Sequence, residues 1–384
     1  MNVLTPLQLL GGLSAQAFMR RHWQKKPLWV RQALPGVASP ISRADLFRLA
    51  LTPGVEARVV QQGPQGWALQ RSPLTRRQIP SPRTPRWTLL VQGLDLHVPA
   101  AHDLLQRFRF IPDARLDDLM ISYASDGGGV GPHLDAYDVF LIQVQGRRRW
   151  RIGPVSSPKL MPNLPLKILR QFKPQEEQVL EPGDMLYLPP GWGHDGIAQG
   201  ECMTCSVGFR ASSDAELASQ VLTRVAEAAL ECIDEDAASL YADPHQAATP
   251  HPGHVPAALQ RFVTQAVKRA LRDPQALHTA LGETLSEPKP HTWFEPGASL
   301  QSLLGQGQGV ALSSRSRMLY DERCVYLNGE SFVASGTDAL LMRRLADSRH
   351  LSAQDVARLT QGARRLLDTW CQDGWVGGWV GPES

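Results

Sequence analysis

His133 and Asp135 stand one residue apart in the run GPHLDAYDVF. In an extended chain residues i and i+2 point to one face, so this imidazole and this carboxylate can reach the same metal ion without backbone distortion. A third ligand would make the two-histidine, one-carboxylate facial set that holds non-haem Fe(II) and leaves open positions. His194, in EPGDMLYLPPGWGHDG, is the candidate. There a turn at Pro182-Gly183-Asp184 launches a strand, and the chain reaches His194 after Pro189-Pro190-Gly191. Taken singly, a His-x-Asp pair is more often coincidence, and a lone histidine is more often a satisfied core or surface residue. The two together, each preceded by a strand between turn signals, favour a metal centre.

Open positions on Fe(II) can be filled by 2-oxoglutarate, which chelates through its C1 carboxylate and C2 ketone. Its remote carboxylate then needs a cation deeper in the fold. After an expected hairpin turn at Gln145-Gly146, the returning strand reads RRRWRI. Alternation puts Arg148, Trp150 and Ile152 on one face and Arg147, Arg149 and Arg151 on the other. The first face is the apolar one, so Arg148 is the inward arginine and can clamp a carboxylate bidentately. The other three read as a solvated outer face.

These residues need a scaffold. Residues 1–50 alternate helix signals with turns, and Leu28–Val30 reads as a short strand after Pro27. From 54 to 210 the texture is β, with runs at Trp87–Val91, Asp118–Tyr123, Val139–Val144, Trp150–Ile152, Met185–Leu188 and Met203–Phe209. Gly, Pro and Asp separate them, which suggests a sandwich or barrel. The pattern changes at Ala211. Segment 214–233 sets Leu217, Val221, Val225, Ala228 and Cys232 at helical spacing behind Asp214, a plausible N-cap. Helical patterns recur over 256–284. From 297 a short helix precedes a hairpin turning at Asn328-Gly329. Helices near 336–347 and 352–370 complete a winged-helix-like end. The expected division is 1–210, 211–296 and 297–384.

The composition excludes several classes. The chain has 384 residues, 42% hydrophobic and 20% charged, as a soluble globular protein with full cores should. The net charge of +3 does not by itself imply nucleic acid. Five scattered cysteines, Cys202, Cys205, Cys232, Cys324 and Cys371, argue against a disulfide framework and for a reducing compartment. The N-terminus lacks the pattern of a secretion signal. No apolar run approaches the ~20 residues that span a bilayer. The expectation is a cytoplasmic protein with no membrane partner. Cys202 and Cys205 would face opposite sides of a strand, His251 and His254 lie in a Pro-rich loop, and Gly127–Gly129 lacks the Lys-Ser/Thr of a phosphate loop. None of these reads as a site.

The order His-x-Asp, then a basic residue fifteen positions after the histidine, then a histidine behind PGDMLYLPPGW resembles the JmjC group of 2-oxoglutarate oxygenases. The chain is most similar to the bacterial ribosomal oxygenases, through HWQKKPLWVRQA, ISYASDGGGVGPHLDAYDVFLIQVQGRRRW and the second-histidine segment. The resemblance covers the whole chain, the last two parts by architecture rather than motif. It implies an α+β chain: a double-stranded β-helix (jelly-roll or cupin-like) barrel, a helical dimerisation region and a winged-helix-like domain. His133, Asp135 and His194 fall on the iron ligands and Arg148 on the 2-oxoglutarate anchor. Arginine replaces the lysine of many JmjC relatives, as in the bacterial branch.

The implied activity is hydroxylation of an arginine side chain of a large-subunit ribosomal protein, the sixteenth. Fe(II), O2 and 2-oxoglutarate are consumed or used, with succinate and CO2 released. An arginine substrate needs an acceptor for its guanidinium, and Asp126 and Tyr137 are candidates beside bland readings as a turn aspartate and a core tyrosine. Ser122 is a weaker candidate for contact with 2-oxoglutarate. A homodimer through the helical region is implied. Rival outcomes are histidine hydroxylation or lysine demethylation. A rival of another class is a non-catalytic metal-binding cupin regulator whose winged helix binds DNA. Direct nucleic-acid binding is not expected, because Arg343, Arg344, Arg349, Arg358, Arg364 and Arg365 are mixed with Asp338, Asp347, Asp355 and Asp368.

Overall fold

The computed structural model describes residues 2–64, 66–231, 240–290 and 292–381, and the chain divides after Ala211 into two units. In the first, short runs of β-branched and aromatic residues form strands β1 (Leu28–Val30), β2 (Ala57–Gly63), β3 (Gly66–Arg71), β4 (Trp87–Val91) and β5 (Leu116–Ala124). They continue as β6 (His133–Leu134), β7 (Val139–Pro154), β8 (Glu176–Leu180), β9 (Met185–Leu188) and β10 (Trp192–Phe209). All pair antiparallel in one sheet of order β1-β9-β7-β10-β5-β4-β2-β3, with β6 on β10 and β8 on β7. One cavity draws residues from β2 and β3 at one end of this order and from β7 nearer the other. The sheet therefore curls round a site, as a cupin-like barrel does.

The apolar run VFLIQV of β7 explains why the curled sheet is stable. Phe140, Ile142 and Val144 enter the main core, with Phe18, Phe108, Tyr187 and Phe209. Val139 and Leu141 enter a second cluster with Trp150, Ile152, Leu180, Leu186 and Leu188. A strand buried on both faces loses the usual polar alternation. Helices α1 (Ala15–Arg21), α2 (Arg43–Leu49) and α3 (Pro99–Gln106) cover the main core, contributing Phe18, Leu46, Leu104 and Leu105. Phe18 meets Tyr187 edge to face at 4.9 Å. Each such buried aromatic contributes about 1.5–3 kcal/mol.

The expected hairpin at Gln145-Gly146 is absent. β7 runs on from Val139 to Pro154, bending at Gly146, whose φ is +64°. A Cβ there would strike the Glu201 carbonyl oxygen, so glycine lets β10 pass close by at its own register shift between Gln199 and Met203. The β2–β3 hairpin and β8 lie within the expected β region but have no matching run among those named. β3 and β8 are partly polar strands with a neighbour on one side, and β2 is short in apolar residues beyond Val59 and Val60. β6 is shorter than expected, and Asp135 lies just beyond it.

The second unit begins with α4 (Asp214–Glu231), α5 (Ala257–Ala270) and α6 (Pro274–Ser286). Ser213, not Asp214, supplies the cap of α4: its hydroxyl accepts from the Glu216 N–H at 3.2 Å. Cys232 lies outside the described residues. Then follow α7 (Leu300–Gly305), β11 (Gly309–Leu312), β12 (Met318–Tyr320), β13 (Cys324–Leu327) and β14 (Glu330–Val333). The chain ends through α8 (Gly336–Ser348), β15 (His350–Leu351), α9 (Ala353–Val356), α10 (Gln361–Gln372) and β16 (Val376–Trp379). Asn328 and Gly329, at φ +52° and +92°, make the expected hairpin turn between β13 and β14. The expected helix 352–370 is interrupted before Thr360, which caps α10 by accepting from Ala363 N–H. α6 packs on β12, β13 and β14 and on α4.

Candidate metal centre

β6 and β10 pair so that His133 stands directly opposite His194. Their rings are 4.1 Å apart, centroid to centroid. Asp135 Oδ1 lies 4.0 Å from His133 Nε2, and Asp135 Oδ2 lies 3.5 Å from His194 Nε2. One ligand atom from each residue falls within 4.8 Å of the others, close enough for a single ion to bridge. The other imidazole nitrogens are held by backbone. His133 Nδ1 lies 2.9 Å from Gly131 O, and His194 Nδ1 lies 3.3 Å from Trp192 O. A carbonyl only accepts, so both Nδ1 atoms carry the proton and both Nε2 lone pairs face Asp135. Burial, reinforced by His133 alongside, lowers the His194 pKa to about 4 against the upward pull of Asp135, which keeps the ring neutral as a ligand must be.

Arg148 lies on the same cavity wall, only 5% exposed. Its Nη1 donates to Ser122 Oγ at 3.2 Å, while Nε and Nη2 are buried with no hydrogen-bond partner among the described residues. Trp150 flanks it, the guanidinium carbon 5.7 Å from the ring centre. A buried cation with two unused donors is costly unless an anion meets it. The cavity, of about 530 Å³, thus presents a facial ligand set and an unmatched guanidinium together. That pairing fits a metal ion with a dicarboxylate cosubstrate.

Residues 103–217 match the JmjC domain model and residues 269–376 a ROXA-like winged helix. The chain is 34% identical over 334 residues to the ribosomal protein uL16 3-hydroxylase of Escherichia coli, covering 84% of this chain and 86% of that protein. A probable ribosomal oxygenase of Haemophilus influenzae is 37% identical over 202 residues, covering 52% and 50%. The solved structure of E. coli YcfD superposes with a TM-score of 0.80 at 31% identity, over 94% of this chain and 96% of that one. A structure of YcfD, described as a ribosomal oxygenase in complex with cobalt and 2-oxoglutarate, gives 0.77 at 30% identity, over 95% and 98%. The chain belongs to the JmjC ribosomal oxygenases.

In this ribosomal oxygenase the remaining candidates separate. Ser122, buried beside Arg148, lines the cavity and its hydroxyl donates to Thr204 O at 3.3 Å. Tyr137 also lines it, although the backbone bends after Leu134 and no strand continues to it. Burial of the phenol, then Asp135 and Asp118, push its pKa up, so it stays a neutral donor. Asp126 is not brought to the cavity. Its exposed carboxylate accepts from Gly200 N–H at 2.7 Å, at the register shift of β10, outside the cavity lining. Arg151 is more than a solvated arginine: it pairs with Asp195, a buried carboxylate next to His194. Cys202 and Cys205 are buried in different clusters, as their strand parity requires.

The cavity wall missed by sequence reasoning is charged with both signs: Glu56, Asp117 and Asp118 line it, with Arg58 and Arg71 from the β2–β3 hairpin and Lys167. Asp118 is 2% exposed and accepts from Gln92 Nε2 and from Gly93 N–H, at 2.8 and 2.7 Å. A signal existed: Asp118, Met120 and Ser122 alternate along β5, so a cavity-facing Ser122 implies the other two. Gly129 shows why the Gly-run is there. Its Cβ would sit 2.6 Å from Gly196 O, two residues past His194.

Proposed function

We propose that this ribosomal oxygenase is an Fe(II)- and 2-oxoglutarate-dependent hydroxylase acting on an arginine side chain of a large-subunit ribosomal protein. The observation that carries the reading is the buried guanidinium of Arg148, with two unused donors, in the cavity that holds His133, Asp135 and His194. A regulator that merely bound metal would have no need of it. Fe(II), when bound, would supply oxidation of an unactivated C–H bond coupled to decarboxylation of 2-oxoglutarate. His133, Asp135 and His194 would hold the metal, and Arg148 with Ser122 would fix the remote carboxylate and so orient the cosubstrate. Within a lining that also carries Arg58, Arg71 and Lys167, the carboxylates of Glu56, Asp117 and Asp118 offer acceptors to a cationic side chain, with the Tyr137 ring alongside. Because Asp118 is already anchored by Gln92 and Gly93, it can accept from a guanidinium without reorganising.

A helical dimer is supported by α5, none of whose residues is buried. Val263 and Val267 are exposed at i, i+4 spacing, with Leu271 just beyond the helix. The winged-helix end reads as a scaffold. Arg343 and Arg349 donate to backbone carbonyls, and Arg344 and Arg358 pair with Asp355, which leaves a poor base-reading face. Cytoplasmic residence accords with the ribosomal substrate. Among the described residues no helix is long and apolar enough to cross a membrane.

The test is conversion of 2-oxoglutarate to succinate by protein loaded with Fe(II), with arginine-containing fragments of large-subunit ribosomal proteins. Mass spectrometry is expected to show one added oxygen (~16 Da, the atom inserted) on arginine. Oxidation of histidine or loss of a methyl group from lysine would select a rival outcome.

A further inference from the structure

The overall charge of +3 conceals a division along the chain. Residues 1–211 hold 25 Lys and Arg against 16 Asp and Glu, whereas residues 212–384 hold 15 against 21. The excess is concentrated further. Between Ala57 and Leu94 there are six arginines and no acidic residue. Five of them, Arg71, Arg76, Arg77, Arg83 and Arg86, lie from the end of β3 to the start of β4, and all five are exposed. Among the described residues none of the five makes an ion pair, and Arg76 alone has a side-chain hydrogen bond, to Ile79 O at 3.2 Å. The neighbouring carboxylate, Asp126, is occupied by Gly200 N–H.

This segment is not a loose tether. Leu74 and Ile79 are buried in the main core. Thr75 N–H donates to Gln78 Oε1 at 2.7 Å and closes the turn that carries Arg76 and Arg77. Trp87 Nε1 donates to Ser81 O at 3.1 Å. Apolar anchors thus fix the backbone that carries the outward arginines, so binding need not order the segment itself. β3 is the outer strand of the sheet, and Arg71 at its end also lines the catalytic cavity. The array therefore begins at the site.

We propose that the β3–β4 segment is a docking surface for RNA, an inference that rests on the ribosomal-protein reading of the substrate. Guanidinium forks match phosphate oxygens in pairs. A cationic run without interspersed carboxylates suits a polymer of phosphates. A membrane surface would call for exposed apolar side chains on the segment, and its large aliphatic ones, Leu74 and Ile79, are buried. A ribosomal protein is an RNA-binding protein by trade, so an enzyme that grips RNA beside its cavity meets substrate on a ribonucleoprotein particle. The expectation against nucleic-acid binding came from the net charge and the winged-helix end, and neither reports on this segment.

The experiment is fluorescence anisotropy of a labelled single-stranded RNA with the full chain, titrated over salt, for wild type and the triple variant R76Q/R77Q/R83Q. Those three arginines lie outside the cavity lining. Wild type should bind at low salt. The variant should bind about tenfold or more weaker, its log–log salt slope flatter by about 2 for three lost contacts at ~0.7 each. It should still hydroxylate a free arginine peptide like wild type. Equal RNA affinity of the two proteins, or no binding by wild type at low salt, would overturn the proposal. Tighter binding of polyglutamate than of RNA at matched charge would also overturn it, in favour of an acidic protein partner. Failure of wild type to hydroxylate the peptide would count against the substrate reading alone, so the two failures are distinguishable.

Discussion

His194 Nε2 lies 3.5 Å from Asp135 Oδ2, although His194 is fixed inside a strand and Asp135 stands just past the end of another. Two backbone carbonyls, of Gly131 and Trp192, choose the tautomers that aim both histidines at that carboxylate. The candidate metal centre is thus assembled by strand pairing and by tautomer control together.

Removing one ligand should therefore remove the metal while leaving the fold. His133→Ala is expected to bind Co(II) or Fe(II) at least ~100-fold more weakly, since even outer partners of metal ligands cost 10–100-fold. Calorimetric titration with metal, alongside a thermal melt of the apo protein, checks this. Unchanged metal affinity would take His133 out of the ligand set.

Arg148→Ala should separate cosubstrate from metal. Losing hydrogen bonds from a charged group costs about 1.5–3 kcal/mol, or roughly 10- to 150-fold in affinity for 2-oxoglutarate. Metal binding should persist. The apo protein should not lose stability, because the variant deletes a buried charge with two unused donors. A 2-oxoglutarate-induced rise in melting temperature that survives in the variant would refute the anchor.

Asp118→Asn keeps the shape that Gln92 and Gly93 hold but removes the negative charge. The KM for an arginine peptide should rise about tenfold or more, as expected for a lost charged hydrogen bond. Affinity for 2-oxoglutarate should stay as in wild type. Steady-state kinetics on peptide, with cosubstrate saturating, distinguishes this from general damage.

Asp184 gives a pH-dependent term in stability. Burial works to raise its pKa, but the N–H groups of Gln32 and Glu181 and the Arg31 guanidinium outweigh that and hold it below the usual range. A carboxyl depressed in the folded state stabilises above its unfolded pKa of ~3.9 and loses that stabilisation as pH falls through the folded value. Asp184→Asn should thus be less stable than wild type at neutral pH by about 2 kcal/mol. The gap should begin to narrow below pH ~4 and close only once the folded-state carboxyl is protonated. Urea melts at several pH values test it, and a gap independent of pH would reject the assignment.

The chemistry of the site was legible because it is local. His133 and Asp135 were legible by closeness in sequence, although β6 ends before Asp135 and a bend, not strand parity, sets that carboxylate. The parity of Arg148, Trp150 and Ile152 follows from chain alternation, and a turn signal marked the approach to His194. The hairpin of β13 and β14 was legible for the same reason, since Asn328-Gly329 carries its own backbone preference. Gly146 was not. A glycine after a polar residue reads as a turn, yet here the need is to let Glu201 pass, and that neighbour is 55 residues away in sequence.

Asp126 and Asp118 show the same limit from opposite sides. Alternation with Ser122 along β5 marked Asp118 for the cavity face, whereas nothing local marked Asp126 for the partner it takes on a distant strand. Pairing of β10 with the loop before β6 gave Asp126 the Gly200 N–H at a register shift of that strand, and the curl of the sheet put Asp118 on the cavity wall beside the β2–β3 hairpin. Periodicity and motif spacing act over a few residues, so they decide which groups share a face. Which faces meet is decided by packing between strands far apart in the chain, where burial and register outweigh local preference.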